Sequence, residues 1–475
     1  MKKIIFYSFD NYSPFLEINN ELIQEYLNKN YKVYYFFLGH KLYKKYNFIW
    51  PRFKIINKFF RRFLPEIKAI NLLRNKKNLI YSDQIMIKNF KINQNKLNST
   101  YKIKKLYYKN FDVGEAILSN LVSFKKVSSL DFSINIKKIK KFYSSAISLY
   151  QKALDDIDKI KPSKVYVFNG RFVYPRSIIR ACQSKNIRFG CYDKGVSNKS
   201  YRIRDYDWIN KFELQKQIQS LWKKKKNKKN FKKIYKKWFE DRKSNKFNLQ
   251  TDQSYTLSQN LNFVKSNQKK IISFFTSSDD EKVALGSEWI SYFGTQVKAL
   301  EALIASIDYR LFNLVIRVHP NVAFKAESEK RVWKNLKKKH SKNKNIQLIL
   351  YDDKIKSYSL LDESKVIVTT GSTIGIEATF YSKPSILLSP SQYDICKGYF
   401  IAKNNLELKK LLKKNLKAKN KYSFMPAINQ KINEGTRKFR FTTANKNFSK
   451  VYFKDTQLNK KSFYLKLLFA ILRIY

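Results

Sequence analysis

Short apolar runs alternate with stretches of helical spacing along most of the chain. Lys3 to Ser8 reads as a strand. Pro14 to Leu27 places Phe15, Ile18, Leu22, Ile23 and Tyr26 on one helical face, and Tyr31 to Leu38 reads as a second strand. This is a βαβ opening, and the loop after its first strand carries Asp10 and Asn11. Residues 41 to about 135 are rich in Lys and Asn with only fragments of a period, and read as an insertion. Order returns with a long helix over Ile136 to Ile160, a strand Lys164 to Phe168, a helix bearing Ile178, Ile179 and Ala181, and a strand Arg188 to Tyr192. Residues 211 to 253 form a basic, glycine-free helical stretch and then a polar tract, the expected bridge between domains.

A second alternation begins at Lys270 with the strand IISFFT. The spacing predicts a helix from about Ser287 to Ile307, a strand Asn313 to Arg317, a lysine-rich helix, a strand Ile346 to Leu350 and a short helix over Ser357 to Asp362. The stretch from Lys365 to Leu388 follows: apolar run, Thr369-Thr370-Gly371-Ser372-Thr373, a helical segment with Ile374, Ala378 and Tyr381 on one face, the stop Lys383-Pro384, and another apolar run. Strand, small-residue turn, helix and strand make a parallel unit whose turn offers backbone N–H groups and hydroxyls at the carboxyl edge of a sheet. An amphipathic helix over Leu406 to Leu416 and a polar tail come next. The last residues, SFYLKLLFAILRIY, are apolar but too short to span a bilayer.

A chain of 475 residues is long for a single core, so two domains are expected. The apolar start MKKIIFYSFDNYSP meets Asp10 too soon for a signal peptide, and the expected location is cytoplasmic, with peripheral attachment to the inner face of a membrane as a further expectation. Three scattered cysteines supply neither a disulfide framework nor a metal cluster. A net charge of +61 suggests nucleic acid. Lys, Asn, Ile, Phe and Tyr abound together, however, as A/T-rich codon usage produces, and the aromatics sit in apolar runs instead of alternating with Arg on a stacking platform. Anionic lipid or an acidic glycan suits that charge better as a partner than nucleic acid does.

Polar residues recur where predicted strands end: Asn169 and Arg171, Asp193, Ser277 to Glu281, then Arg317, His319 and Asn321, and finally Ser372 and Thr373. Each has an ordinary structural reading as a cap or turn, but in an α/β sheet such ends lie on one edge. The set suits transfer of a sugar from a nucleotide donor. Asp193 is the candidate base; Arg171, Arg317, His319 and the Ser372/Thr373 turn are candidates to hold phosphate, and Glu377 to take ribose hydroxyls. With these groups present no metal or other cofactor is required. Asp205-Tyr206-Asp207 fits the D-x-D pattern of metal-dependent glycosyltransferases, but Asp156-Ile157-Asp158 fits it equally inside a predicted helix. The sequence contains no G-x-x-x-x-G-K-[ST], H-E-x-x-H or G-x-S-x-G.

Between about residues 160 and 400, VFNGRFVYPRSIIRAC, CYDKG, FFTSSDDE, VIRVHPN and SYSLLDESKVIVTTGSTIGIEATFYSKPSILL occur in that order. Together they resemble the capsule-polysaccharide-biosynthesis type of GT-B glycosyltransferase. The His-Pro and Ser-Thr elements are also similar to those of bacterial sialyl- and Kdo-transferases, which use CMP-sugars. The resemblance implies two Rossmann-like doubly wound α/β domains facing across a cleft. It also implies that His319, Ser372 and Thr373 contact the donor phosphate and that Asp193 is the base. Relatives often carry an acidic pair before the glycine; here Lys194 stands in place of the second acid.

The expected domains are 1–255, acceptor-side with the insertion at about 41–135; 256–430, nucleotide-sugar-binding; and 431–475, a polar tail with the short apolar segment. Asp193 and His319 are the expected catalytic residues. Ser277, Ser278, Arg317, Asn321, Ser372, Thr373 and Glu377 are expected on the donor, and Asp10, Asn169 and Arg171 on the acceptor or phosphate side. The expected function is glycosyl transfer from a nucleotide-sugar to a lipid-linked or glycan acceptor during assembly of a surface polysaccharide. The alternatives are a nucleotide-sugar 2-epimerase of the same fold and a non-catalytic basic protein binding membrane or glycan.

Overall fold

The computed structural model describes residues 1–9, 14–38, 70–73, 76–93, 95, 97–125, 127, 130, 135–195, 198–207, 210–225, 229–244, 269–278, 282, 284–353, 355–419, 421–433, 436–445 and 450–458. Asp10, Asn11, the acids 279–281 and the apolar stretch 462–475 therefore lie outside the described residues. The chain divides into two compact units. One comprises Met1–Ile117, Phe132–Trp208 and Gly435–Tyr475; the other comprises Leu118–Asp131 and Ile209–Glu434.

The first unit is built on β1 (Lys3–Ser8), β2 (Lys32–Phe37), β3 (Leu79–Ser82), β4 (Lys164–Phe168), β5 (Phe189–Lys194) and β6 (Ser200–Arg204). The order is β3-β2-β1-β4-β5-β6, parallel from β3 to β5 and antiparallel between β5 and β6. β1 is apolar on successive positions because helices or neighbours bury both its faces, as in parallel sheets generally. Phe6 stacks on Tyr166 at 5.0 Å, and Ile4, Leu22, Val33 and Tyr35 fill the space beneath helix Phe15–Asn28.

Two expectations for this unit change. Part of the presumed insertion belongs to the sheet, since Leu79–Ser82 forms its edge and the backbone of Lys88 and Phe90 hydrogen-bonds Ser148 and Ser144 of helix Ile136–Ile160. The presumed polar tail also belongs to it. Thr436–Lys438 pairs antiparallel with β6, and Thr442–Ala444, Val451–Phe453 and Thr456–Gln457 form a small sheet against helix Phe15–Asn28. The Glu21 carboxylate accepts the N–H groups of Arg440 and Phe441 and the Thr442 hydroxyl, while Phe453 and Leu458 are buried in the core.

The second unit has β7 (Lys270–Phe275), β8 (Phe312–Arg317), β9 (Ile346–Ile349), β10 (Ser364–Thr369), β11 (Ser385–Leu387) and β12 (Phe400–Ile401). All are parallel, in the order β12-β11-β10-β7-β8-β9. The chain winds outward from β7 to β9, returns to β7's other side at β10, and winds outward again. Both units are thus mostly parallel sheets flanked by helices, the Rossmann-like architecture expected.

Helices Lys211–Lys225 and Lys229–Lys243, expected as a bridge closing the first domain, are part of this second unit. The reason is an apolar face at helical spacing. Phe231, Tyr235, Trp238 and Phe239 are buried, and Phe239 stacks on Phe380 at 4.2 Å. The predicted helix from Ser287 is shorter, running Gln296–Ile304. Gly294 adopts φ +79 and the Thr295 hydroxyl accepts the Lys298 N–H, a cap that fixes the start at this point. Among the described residues no helix is long and apolar enough to cross a membrane.

Candidate functional site

In a doubly wound sheet, adjacent loops diverge where the winding reverses, and a crevice opens beyond the carboxyl ends of the strands there. In the second unit this point lies between β10 and β7. The loops that flank it are Thr276–Ser278 after β7, His319–Asn321 after β8 and Thr370–Thr373 after β10. The expected residues Ser277, Ser278, His319, Asn321, Ser372 and Thr373 are thus brought to one edge.

Side chains lock these loops together. Gln296, buried at the start of its helix, accepts the Ser277 N–H and the Thr370 hydroxyl (2.7 Å) and donates to the Ser277 carbonyl at 3.3 Å. The Ser277 hydroxyl lies 3.2 Å from that of Thr370. Thr369 reaches the Phe275 carbonyl at 3.0 Å and accepts the Ser372 N–H at 2.9 Å, and Thr276 accepts the His319 N–H at 2.7 Å. These buried hydroxyls hold the edge in shape, and Ser278, His319, Ser372 and Thr373 on the same edge are half-buried.

His319 caps the 3-10 turn Pro320–Phe324, its Nδ1 accepting the Asn321 N–H at 3.1 Å. In the neutral ring that contact puts the proton on Nε2, which makes Nε2 the donor. Thr373 precedes helix Ile374–Phe380; the Gly375 N–H bonds the Ser372 carbonyl at 3.1 Å and the Ile376 N–H the Thr373 carbonyl at 3.0 Å. Gly371 adopts φ +105, and a Cβ there would overlap the ammonium of Lys282. Lys282 donates to the carbonyls of Thr370 and, at 3.3 Å, Pro390.

Besides Ser277, two expected donor ligands have other work. Arg317 is buried and donates to the carbonyls of Leu350 and Asp353; burial pushes its guanidinium down to about 10. Glu377 is buried against Arg242 at 2.9 Å and accepts the Tyr358 hydroxyl, which ties the Lys229–Lys243 helix to the back of the edge. Periodicity could not separate these from exposed ligands, because both sit one position or one turn from the strand ends. Lys282 and Gln296 were missed. Lys282 hides in an acidic string that reads as a helix start, and Gln296 carries no sequence signal of its own.

In the first unit the reversal lies between β1 and β4, where Asn169, Gly170 and Arg171 follow β4. Asn169 is left-handed, φ 54, and donates to the Asp193 carboxylate at 2.9 Å; the Lys194 N–H donates to the same group at 2.8 Å. Burial raises the Asp193 carboxyl above its ordinary value, although those two bonds and the charges of Arg202 and Lys194 favour the ionised form. Arg171 stacks on Phe172 at 4.7 Å. The D-x-D acids are engaged elsewhere, Asp205 with Lys164 and Asp207 with Arg180, and no His/Cys/Asp/Glu cluster suited to a metal occurs among the described residues.

Residues 202–421 match the family model described as capsule polysaccharide biosynthesis protein. No curated protein matches the chain. Among solved structures the chain is remotely similar to KpsC, the beta Kdo 2,4 transferase of Thermosulfurimonas dismutans. Identity is 10% over 56% of this chain and 79% of that one, with a TM-score of 0.38. It is also similar to the UDP-GlcNAc 2-epimerase of Neisseria meningitidis, at 13% identity over 90% and 98% of the two chains and a TM-score of 0.26. A third likeness is to Anabaena Alr3699/HepE in complex with UDP and glucose, at 10% identity over 91% and 96%, with a TM-score of 0.30.

Proposed function

We propose that the protein is an enzyme acting on a nucleotide-sugar, and that it transfers the sugar to a glycan or lipid-linked acceptor of surface-polysaccharide assembly. The observation that carries this reading is the meeting of the Ser277, His319 and Ser372/Thr373 loops at the reversal of the second sheet, whose hydroxyls and ring N–H suit a phosphate. The match of residues 202–421 to a capsule-biosynthesis family supports the same reading.

In the transfer, Asp193 takes the proton of the acceptor hydroxyl as its oxygen bonds to the anomeric carbon. The bond from that carbon to phosphate breaks, and its electron pair leaves on the phosphate oxygen. His319 Nε2–H and the hydroxyls of Ser372 and Thr373 stabilise the departing charge, without need of a metal. Asn169 orients the base, and Arg171, two residues on in the same turn, is assigned with Asp10 to an acceptor or phosphate group. Cytoplasmic location with the basic surface near an anionic membrane fits a lipid-linked acceptor.

The second reading is a nucleotide-sugar 2-epimerase. It is favoured by the fact that every group at the phosphate-receiving edge belongs to one unit, so that holding the nucleotide calls for no acceptor. The test is incubation of the purified chain with UDP- and CMP-sugars, with and without acceptor glycans, followed by NMR of the products. Nucleotide release that requires acceptor supports transfer, and an epimerised sugar formed without acceptor supports the second reading. A thermal shift with no nucleotide among CMP, UDP, GDP and CDP would overturn both, since a ligand at a hundredfold excess over its Kd stabilises by about 2.7 kcal/mol.

A further inference from the structure

We infer that the outer edge of β9 holds an acetamido sugar, free or as one unit of a glycan. The sugar lies in a groove of about 390 Å³ between the end of helix Glu327–Lys339, β9 itself and the segment after it. β9 is the last strand of its sheet, two strands beyond β7, so this groove is separate from the reversal between β10 and β7. It stands apart from the nucleotide-sugar reading above.

The main chain of β9 determines what the groove receives. The Leu314 N–H donates to the Asn345 carbonyl at 2.8 Å and the Val318 N–H to the Ile349 carbonyl at 2.9 Å. Alternate residues of a parallel strand turn to the same neighbour, so Asn345, Gln347 and Ile349 face β8, and the main chain of Ile346, Leu348 and Leu350 faces outward. Two of the outward N–H groups are taken: that of Ile346 donates to the Asn343 carbonyl at 3.1 Å, and that of Leu350 to the Asp353 carboxylate at 2.6 Å. Leu348, which lines the groove, keeps its N–H and C=O without a partner among the described residues. One N–H and one C=O on one residue complement one amide. An acetamido group gives its carbonyl to the first and its N–H to the second, whereas an extended peptide would next need the two N–H groups already taken.

Side chains supply the rest of the recognition. Gln347 Oε1 and His340 Nε2, on two residues of the groove, are buried without a hydrogen bond among the described residues. Burial and the charge of Lys339 hold the His340 ring below its ordinary value, so at neutral pH it carries no charge. The two charged residues of the groove, Lys337 and Asp353, lie 3.8 Å apart and offset each other. A phosphate or carboxylate therefore finds no spare cation among them. A sugar hydroxyl donates to Gln347 Oε1, and another meets His340 Nε2 in either tautomer, since a hydroxyl both donates and accepts.

The experiment titrates the full chain with N-acetylglucosamine, with glucose and with a blocked dipeptide amide, and follows the Leu348 amide by NMR. Gln-Leu occurs at Gln347-Leu348 and at Gln457-Leu458 alone, so labelling Gln carbonyls and Leu nitrogens leaves two signals to distinguish. N-acetylglucosamine should move the Leu348 signal, and glucose should not. In Gln347→Leu, which keeps the shape and removes the acceptor, the affinity for N-acetylglucosamine should fall roughly three- to tenfold, as for one hydrogen bond. Gln347→Glu keeps an acceptor oxygen and should retain most of the affinity. An equal response to glucose would overturn the inference, as would a Leu348 signal that N-acetylglucosamine leaves in place. A shift with the dipeptide amide and none with the sugar would also overturn it and assign the edge to a peptide. Should Gln347→Leu fail to fold, the Leu348 signal of the unaltered chain decides by itself.

Discussion

One methyl group at position 371 would be felt at the edge of the second sheet proposed to receive phosphate. Gly371→Ala forces a left-handed φ on a residue with a Cβ, about 1–2 kcal/mol of strain, and evicts the Lys282 ammonium. The expected outcome is a nucleotide affinity at least roughly tenfold lower by calorimetric titration, with an unchanged far-UV spectrum. Asp193 makes a separate prediction. As the proposed base, Asp193 must be ionised, and burial raises its carboxyl, so activity should fall on acidification at a pH above the ordinary aspartate value of 3.8. Asn169→Gly tolerates the left-handed backbone but removes a bond to the ionised form. The acid limb of the pH–rate profile should then move to higher pH, by about one unit. His319→Ala should cost on the order of 10²-fold in turnover. At this scale the sequence disclosed residue types and strand ends, and so the placement of Ser277, His319, Ser372 and Thr373. It could not disclose that Arg317 and Glu377 turn inward, because Leu350, Arg242 and Tyr358, which hold them, are distant in sequence.

At the scale of elements, apolar runs with sharp polar boundaries were legible almost to the residue: the strand Lys164–Phe168 and the helix Ile136–Ile160 lie where periodicity put them. Strands of two or three residues in polar sequence were not. Thr436–Lys438 owes its conformation to β6, more than two hundred residues earlier, and a strand specified by its partner has no local signature. Its docking can be tested through Glu21. Glu21→Ala leaves the Arg440 and Phe441 N–H groups and the Thr442 hydroxyl without their carboxylate, at a cost of about 1–3 kcal/mol. Limited proteolysis should then cut between residues 434 and 458 much faster, while the helices of the second unit keep their protection.

At the scale of the whole molecule, the charge of +61 sets the response to acid. Many lysines lie on solvated faces: helix Glu327–Lys339 buries only Trp333 and Leu336. In the first unit, Asp112 is bonded to Arg176 and to Arg180 (2.8 Å), with Glu115 and Asp207 completing the network. Burial alone would raise Asp112, but the hydrogen bonds and charges of Arg180 and Arg176 outweigh it and hold the carboxyl well below the usual range. Its contribution is therefore fully present above its unfolded value near 3.8 and is lost as pH falls toward the depressed folded one. Protonation also adds net positive charge to a chain already in surplus, so added salt should restore part of the stability lost below about pH 4. Asp112→Ala at neutral pH should cost about 1–3 kcal/mol by denaturant unfolding, because the buried Arg176 and half-buried Arg180 lose their shared partner and keep only Glu115 and Asp207.

The return of residues 435–458 to the first sheet reverses the order in which the two halves can mature on the ribosome. Nearly all of the second unit has emerged before the last strands of the first are synthesised, so the half that begins the chain is the half that finishes last. Until then β6 presents an unpaired edge, and helix Phe15–Asn28 presents the buried Glu21 and its apolar neighbours to solvent. A nascent chain halted near residue 434 should therefore recruit chaperones through its amino-terminal half.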